Sequence, residues 1–363
     1  MFIFKSLFNK VGLAEGLSII ESQGLSALFL DEINQDHEFG KKITSSPEGK
    51  KLFIKMIGTT VNMEKQYANY ERVVKDLSAL ASKYGLRLIV LKGYGLSLNY
   101  PVPEHRPTGD IDVYVLSSDE CDYDSNYKLL DSAIANNLGI KVDQCSSHHS
   151  RFYFEGFLVE NHKTVIDPDR HKENIELNQL LAQEIRRGIR RVNDVFLPSV
   201  RFNSIHLLSH MSRDFASTGT NIRKLLDWAI FVDTSYKQKD SIDWDFVFDV
   251  ARNYGMLPFL NAINDICVRY AGFPCEMFPI RIENQSEAEF HKLSDRVFID
   301  LINGTKTDIL LSQHNILLYG SVKCVRFLKN LWKYNMVYNE IAWKSLMRQS
   351  WIRIEKYFKH NYQ

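Results

Sequence analysis

No apolar run in the chain approaches the roughly 20 residues that a membrane-spanning helix requires, so no membrane partner is expected. The first stretch, "MFIFKSLFNKVGLAEGLSII", is apolar but broken by Lys5, Lys10 and Glu15, and it lacks a small-residue cleavage site. That argues against a secretory signal. The helical spacing of Phe4, Leu7, Phe8 and Val11 predicts an amphipathic packing helix instead. Cysteine is scarce: Cys121, Cys145, Cys267, Cys275 and Cys324 are scattered, odd in number and without a Cys-x-x-Cys pair. This argues against a disulfide framework and a zinc ribbon, and for a reducing, cytoplasmic setting. Neither sign of charge dominates. With 45 Lys and Arg against 44 Asp and Glu, the whole-chain balance does not announce a nucleic-acid binder. The absence of Gly-x-Ser-x-Gly and of Walker A removes a hydrolase elbow and a P-loop. There is no low-complexity tract, long linker or internal repeat.

What is present is organised. At 363 residues the chain suffices for two domains, or for one large domain with an accessory layer. Met63, Tyr67, Tyr70, Val73, Val74, Leu77, Leu80 and Ala81 form one apolar stripe, predicting a helix from Asn62 to Tyr84 that Gly85 ends. "LRLIVL" reads as a short buried strand, and Gly93 to Tyr100 as a turn with a short helix. Pro101, Pro103 and Pro107 forbid regular structure until "DIDVYV", a second strand. "NYKLLDSAIANNLG" reads as helix; "IKVDQC", "RFYFEG" and "FLVENHKTVID" read as strands. From about Glu173 onward helical periodicity takes over and strands become hard to find. The expected class is α+β: a helical segment over residues 1–60, an α+β core over 61–172 and a helical C-terminal domain over 173–363.

Leu91 to Val115 carries the chemistry. Asp110 and Asp112 are one residue apart on a predicted strand, so both point to one face while Ile111, Val113 and Val115 point to the other. Paired carboxylates repel and suit hard divalent cations, which prefer oxygen ligands. Ahead of them, Gly93 permits close backbone approach to a phosphate, and Lys92 and Arg106 offer cationic donors. A full two-metal site needs a third acid from a neighbouring strand. Glu160 in "FLVENHKTV" is the candidate, with His162 on its face; Asp167 and Asp169, separated by Pro168, are loop alternatives.

Other features read more simply. His206 and His210 lie four apart on one helix face and are expected as satisfied histidines at an interface. Arg223 and Asp227 have the spacing of an intrahelical pair, and His148 and His149 read as surface residues. "EIRRGIRRV" packs Arg186, Arg187, Arg190 and Arg191 within two helical turns. The tail from Lys323 to Lys359 is basic and interleaves Trp332, Trp343, Trp351 and Tyr357. Phe327, Leu328, Leu331 and Trp332 form a stripe there, so its aromatics are expected in the core and its lysines on a solvated face.

Together these residues resemble the nucleotidyltransferase superfamily that includes DNA polymerase β. That superfamily carries Gly-Gly or Gly-Ser after a strand, Asp-x-Asp or Asp-x-Glu on the next, and a third acid on a later one. More closely, "LKGYGLSLNYP…R…GDIDVYV", "LVENH", "IHLLSHMSRDF" and "NIRKLLDWAIFV" resemble a bacterial group of uncharacterised nucleotidyltransferases. The resemblance implies a small mixed β-sheet nucleotidyltransferase core flanked by helices. It implies transfer of a nucleoside monophosphate from an NTP to an acceptor hydroxyl, with release of pyrophosphate. Asp110, Asp112 and Glu160 would hold Mg²⁺ or Mn²⁺, with Glu160 also the candidate base. Lys92, Gly93, Tyr94 and Arg106 would bind the nucleotide; His162, His210 and Arg213 would approach the substrate. Tyr94 replaces the family's second small residue, and the interval from Gly93 to Asp110 is longer than usual. The acceptor, a small molecule, RNA or protein, would enter between the core and the helical half. Two alternatives stand beside this reading: a toxin-like transferase modifying tRNA or protein, and a degenerate nucleotide-binding module hinted at by Tyr94.

Overall fold

The computed structural model describes residues 3–117, 123–144, 148–168, 171–217, 219–238, 240–283, 285–304 and 316–341, with 343, 344 and 347. Four short helices, α1 (Ile3–Val11), α2 (Leu13–Ser22), α3 (Ser26–Gln35) and α4 (His37–Thr44), precede the long α5 (Pro47–Lys83). The chain continues through β1 (Leu86–Val90), α6 (Tyr94–Ser97), β2 (Ile111–Ser117), α7 (Tyr123–Leu138), β3 (His149–Phe154) and β4 (Phe157–His162). Then come α8 (Lys172–Arg187), the hairpin β5 (Ile189–Val192) and β6 (Val195–Pro198), α9 (Val200–Ala216) and α10 (Ile222–Lys237). Helices α11 (Trp244–Asn253), α12 (Leu257–Arg269), α13 (Glu287–Asn303) and α14 (Ile316–Asn335) complete the described chain. The class is α+β, as expected.

Helix α5 starts earlier than its apolar stripe suggests. Ser46 caps it, accepting a hydrogen bond from the Gly49 amide, and Pro47 sits where its missing N–H costs nothing. Gly85, at φ +69°, then turns the chain directly into β1. The C-terminal half of α5 lays Tyr70, Val73, Val74 and Leu77 against Leu88, Val90, Ile111, Val113 and Val159 of the sheet. Burying each of these aliphatic side chains contributes about 1.5–3 kcal/mol.

The six strands form one mixed sheet in the order β3-β4-β2-β1-β6-β5. β1 runs antiparallel to β2, whereas β2 and β4 are parallel, with Asp112 beside Glu160 and Tyr114 beside His162. Strand alternation divides the sheet's two sides. Ile111, Val113 and Val115 join α5 and α7; Ile89 and Tyr114 join the core built by the N-terminal helices and by α8 to α13. Asp112 shares the face of Tyr114, toward those helices.

Several expectations are corrected. "EIRRGIRRV" is not one helix: α8 stops at Arg187, and Arg190 and Arg191 lie on β5. Asn193 (φ +50°) and Asp194 (φ +65°) supply the two positive φ angles that a tight hairpin needs, so β5 turns back into β6. β6 pairs in parallel with β1, extending the sheet with residues beyond 172, where helical periodicity alone was read. In the described part of "IKVDQC", Asp143 makes an isolated bridge to Arg151 rather than a strand. The stripe in α14 is also split: Leu328 and Leu331 are exposed, while Lys333 is buried and donates to Asp300 at 2.6 Å. Trp351, Tyr357 and Lys359 lie outside the described residues.

Candidate active site

The parallel pairing of β2 with β4 brings Asp112, Glu160 and His162 onto one face, their ligand atoms within 4.8 Å of one another. His162 Nε2 lies 3.0 Å from Asp112 Oδ1 and 3.9 Å from Glu160 Oε2; its Nδ1 lies 3.3 Å from the Thr164 carbonyl oxygen. Lys92, at the end of β1, donates to the same Asp112 Oδ1 at 3.0 Å. Burial alone would raise the Asp112 carboxyl, but Lys92 and His162 outweigh it and hold the group well below the usual carboxylate range.

The neighbouring hairpin adds two residues that sequence reasoning missed. β3 and β4 join through Glu155 (φ +48°) and Gly156 (φ +88°), which sets Arg151 opposite Glu160 and His149 opposite His162. Arg151 donates to Glu160 Oε1 from Nε at 2.9 Å and approaches it from Nη2 at 2.7 Å. His149, expected at the surface, is 4% exposed, and its Nε2 lies 3.7 Å from Glu160 Oε1. The short turn is the signal that could have found both, since it fixes the register.

Gly93 is dictated by its surroundings. It takes φ +56°, and a Cβ there would stand 2.1 Å from the Tyr70 hydroxyl, which donates to the Asp110 carbonyl. Tyr94 turns its ring into the core beside α5 and donates to Glu71 at 3.0 Å. Asp110 precedes β2 at the cleft and is exposed. Its carboxyl, crowded by protein on the inner side, is raised by lost hydration first and then by the Asp112 charge. Asp167 follows β4 in a loop, and Asp169 lies outside the described residues.

Arg106 is bound elsewhere than a free anion fork would be. It is buried and meets Asp227 of α10 through Nε at 2.8 Å and Nη2 at 3.0 Å, while Nη1 donates to the Gly93 and Pro107 carbonyls. Asp227 also accepts from Tyr100 at 2.8 Å, so the expected intrahelical pair with Arg223 gives way to a tie across the chain. Arg223 instead donates to the Pro107 carbonyl at 2.7 Å.

Between the sheet and the helices α9 and α10 lies a cleft of about 280 Å³. Lys92, Gly93, Asp110 and Asp112 line one wall; His210, Arg223, Lys224 and Asp227 line the other. His210 lies 3.3 Å from Asp214, which also receives Lys224, and burial first and Lys92 next push the imidazole well below its ordinary value. His206 is not the satisfied histidine expected: its Nδ1 is buried without a hydrogen-bond partner and its ring packs on Phe202. Arg213, grouped with His210 in the sequence reading, lines a different, small cavity beside Glu173 and Tyr254.

The donor set fits a divalent cation. Two carboxylates and an imidazole converge, and the Asp110 carboxyl is raised partly by the charges of Asp112 and Glu160, a mutual repulsion that a cation relieves. No described helix is long and apolar enough to cross a membrane.

Residues 15–272 match the sequence profile of a family described as "uncharacterised nucleotidyltransferase". No curated protein and no solved structure matches the chain.

Proposed function

The chain belongs to the uncharacterised nucleotidyltransferase family, and from that premise we propose a metal-dependent transfer of a nucleoside monophosphate from an NTP to an acceptor hydroxyl. The observation that carries this reading is the convergence of Asp112 and Glu160 from parallel strands, with Asp110 and Asp112 lining a cleft that Lys92, Arg223 and Lys224 also line. Asp110, Asp112 and Glu160 would hold the divalent cation, which when bound would supply charge neutralisation for the triphosphate and acidify the acceptor hydroxyl. Gly93 and Lys92 meet the phosphates from the sheet side, and Arg223 and Lys224 from α10. The acceptor oxygen bonds to the α-phosphorus, the bond to the bridging oxygen breaks, pyrophosphate leaves, and Glu160 takes the hydroxyl proton. Arg106 acts at one remove, fixing the Gly93 carbonyl while tying α10 to the loop.

The buried ring of Tyr94 weakens the degenerate-module alternative, because the residue that suggested it lies in the core. The toxin-like alternative would use the arginines of residues 184–192 and the basic tail as its acceptor surface; Arg187 pairs with Glu184, Arg191 with Asp194 and Lys333 with Asp300, so part of that charge is already met.

The test is label transfer from each α-³²P-labelled NTP, with Mg²⁺ or Mn²⁺ and a cell lysate. Labelled RNA, protein or small molecule identifies the acceptor class. Asp110→Asn and Asp112→Asn, each folded by circular dichroism, are expected to drop transfer to background; near-wild-type turnover in either removes the metal assignment.

A further inference from the structure

We propose that His162 is a nitrogen ligand of the bound cation, so that this site selects a first-row transition dication such as Mn²⁺ over Mg²⁺. The inference rests on the metal-dependent reading above and goes beyond its all-carboxylate ligand set.

Three observations converge. The ligand atoms that cluster are those of Asp112, Glu160 and His162, and all three side chains sit at paired positions of β2 and β4. Their placement is set by the sheet rather than by a loop. The second observation is how the ring is held. His162 Nδ1 faces the Thr164 carbonyl at 3.3 Å, so when a cation displaces the Nε2 proton that faces Asp112, the Nδ1–H bond holds the ring with its Nε2 lone pair turned to the site. Metal-bound histidines are held this way, the far nitrogen donating to a carbonyl or carboxylate. That Nε2 is the atom near both Asp112 and Glu160.

The third observation concerns the acids. Arg151 takes Glu160 Oε1, and Lys92 already supplies Asp112 with a cationic partner. Asp112 therefore keeps a cationic partner when His162 Nε2 turns to a bound cation. Behind Glu160, the buried His149 engages His148 through Nδ1 at 2.8 Å, and its own Nε2 has no hydrogen-bond partner. The ground around the two carboxylates is thus rich in imidazole. Mg²⁺ holds to oxygen ligands and gives up water reluctantly, whereas imidazole favours first-row transition metals.

The experiment uses the full chain with Mn²⁺ alone as probe. Pulsed EPR of bound Mn²⁺ is expected to show ¹⁴N modulation from an imidazole, and Mg²⁺ is expected to compete poorly in calorimetry. His162→Gln keeps an oxygen donor at the position. It should lose the modulation and weaken Mn²⁺ on the order of 10–100-fold, as ligand-sphere changes do, with Mg²⁺ affinity little changed. Wild-type protein that binds Mn²⁺ without nitrogen modulation, or binds both ions equally, overturns the proposal and leaves the carboxylate reading standing if Asp112→Asn still abolishes label transfer. Wild-type protein that binds neither ion, with or without NTP, overturns both.

Discussion

Asp112 and Asp227 are buried carboxylates on opposite walls of one cleft, and both are held ionised by neighbouring cations. For Asp227, burial would raise the carboxyl, but the Arg106 guanidinium outweighs it, and Tyr100 adds a hydroxyl donor. Arg106 in turn gives its other end to two backbone carbonyls, so the group is closed by the protein itself. Around Asp112 the cationic partners also prevail, but other acids stand beside them. Lys92 and His162 both meet one oxygen, while Asp110 and Glu160 stand close enough for their charges to be felt. A buried charge whose partners are complete holds two walls together. A buried charge left among other acids is where a cation and chemistry belong.

The largest effect should come from breaking the closed pair. Asp227→Ala leaves a buried guanidinium without its partner and is expected to cost about 3–5 kcal/mol, read from the guanidinium chloride midpoint. Replacing both members, Arg106→Met with Asp227→Leu, should recover most of that loss, since an uncharged pair needs no partner. Asp112→Asn should cost less than Asp227→Ala, because its partner Lys92 reaches solvent and the lost charge relieves Asp110 and Glu160. Equal losses at Asp227 and Asp112 would erase the distinction.

Gly93 lies between the two groups, its carbonyl bound by Arg106 and its neighbour Lys92 bound to Asp112. Gly93→Ala should cost about 1–2 kcal/mol from the positive φ alone, and the overlap with the Tyr70 hydroxyl adds to it. Adding Tyr70→Phe removes that oxygen. The double variant should therefore be more stable than the sum of the single losses predicts; strict additivity would show that the hydroxyl does not press on the loop.

How much of this was legible depends on sequence distance. The Asp110–Asp112 spacing, the strands around it, and Glu160 with His162 two residues on all follow from period-two alternation. Arg151 and His149 were legible too, once Glu155-Gly156 is seen as a two-residue turn that fixes the hairpin's register. The β5–β6 hairpin was hidden because its arginines continue the polar face of α8, and Asn193-Asp194 is a weaker turn signal than Asn-Gly. The Arg106–Asp227 pair could not be read at all. Its members are 121 residues apart, and no local pattern says which acid a buried guanidinium will meet.

The smallest effect separates a closed group that titrates from one that does not. His105 precedes Arg106 and is likewise enclosed by acids, lying 2.7 Å from Asp31 of α3 and 3.1 Å from Glu64 of α5. Partial burial would lower its imidazole, but the two carboxylates outweigh that and raise it above its ordinary value. A group raised on folding stabilises fully below its unfolded value, near 6.5, and that contribution is lost as pH climbs through the raised folded value. His206 and His210 are depressed on folding, so they act in the opposite window: stability falls as pH drops below about 6.5. The difference in unfolding free energy between wild type and His105→Gln isolates the first term. It should be about 1 kcal/mol or less, as for ion pairs near a surface, largest at pH 6 and shrinking toward pH 9. Arg106 keeps its charge throughout, so the cost of Asp227→Ala should stay flat over the same range. A His105→Gln difference that grows with pH would mean that the imidazole is held neutral and that the acids around it are not its partners.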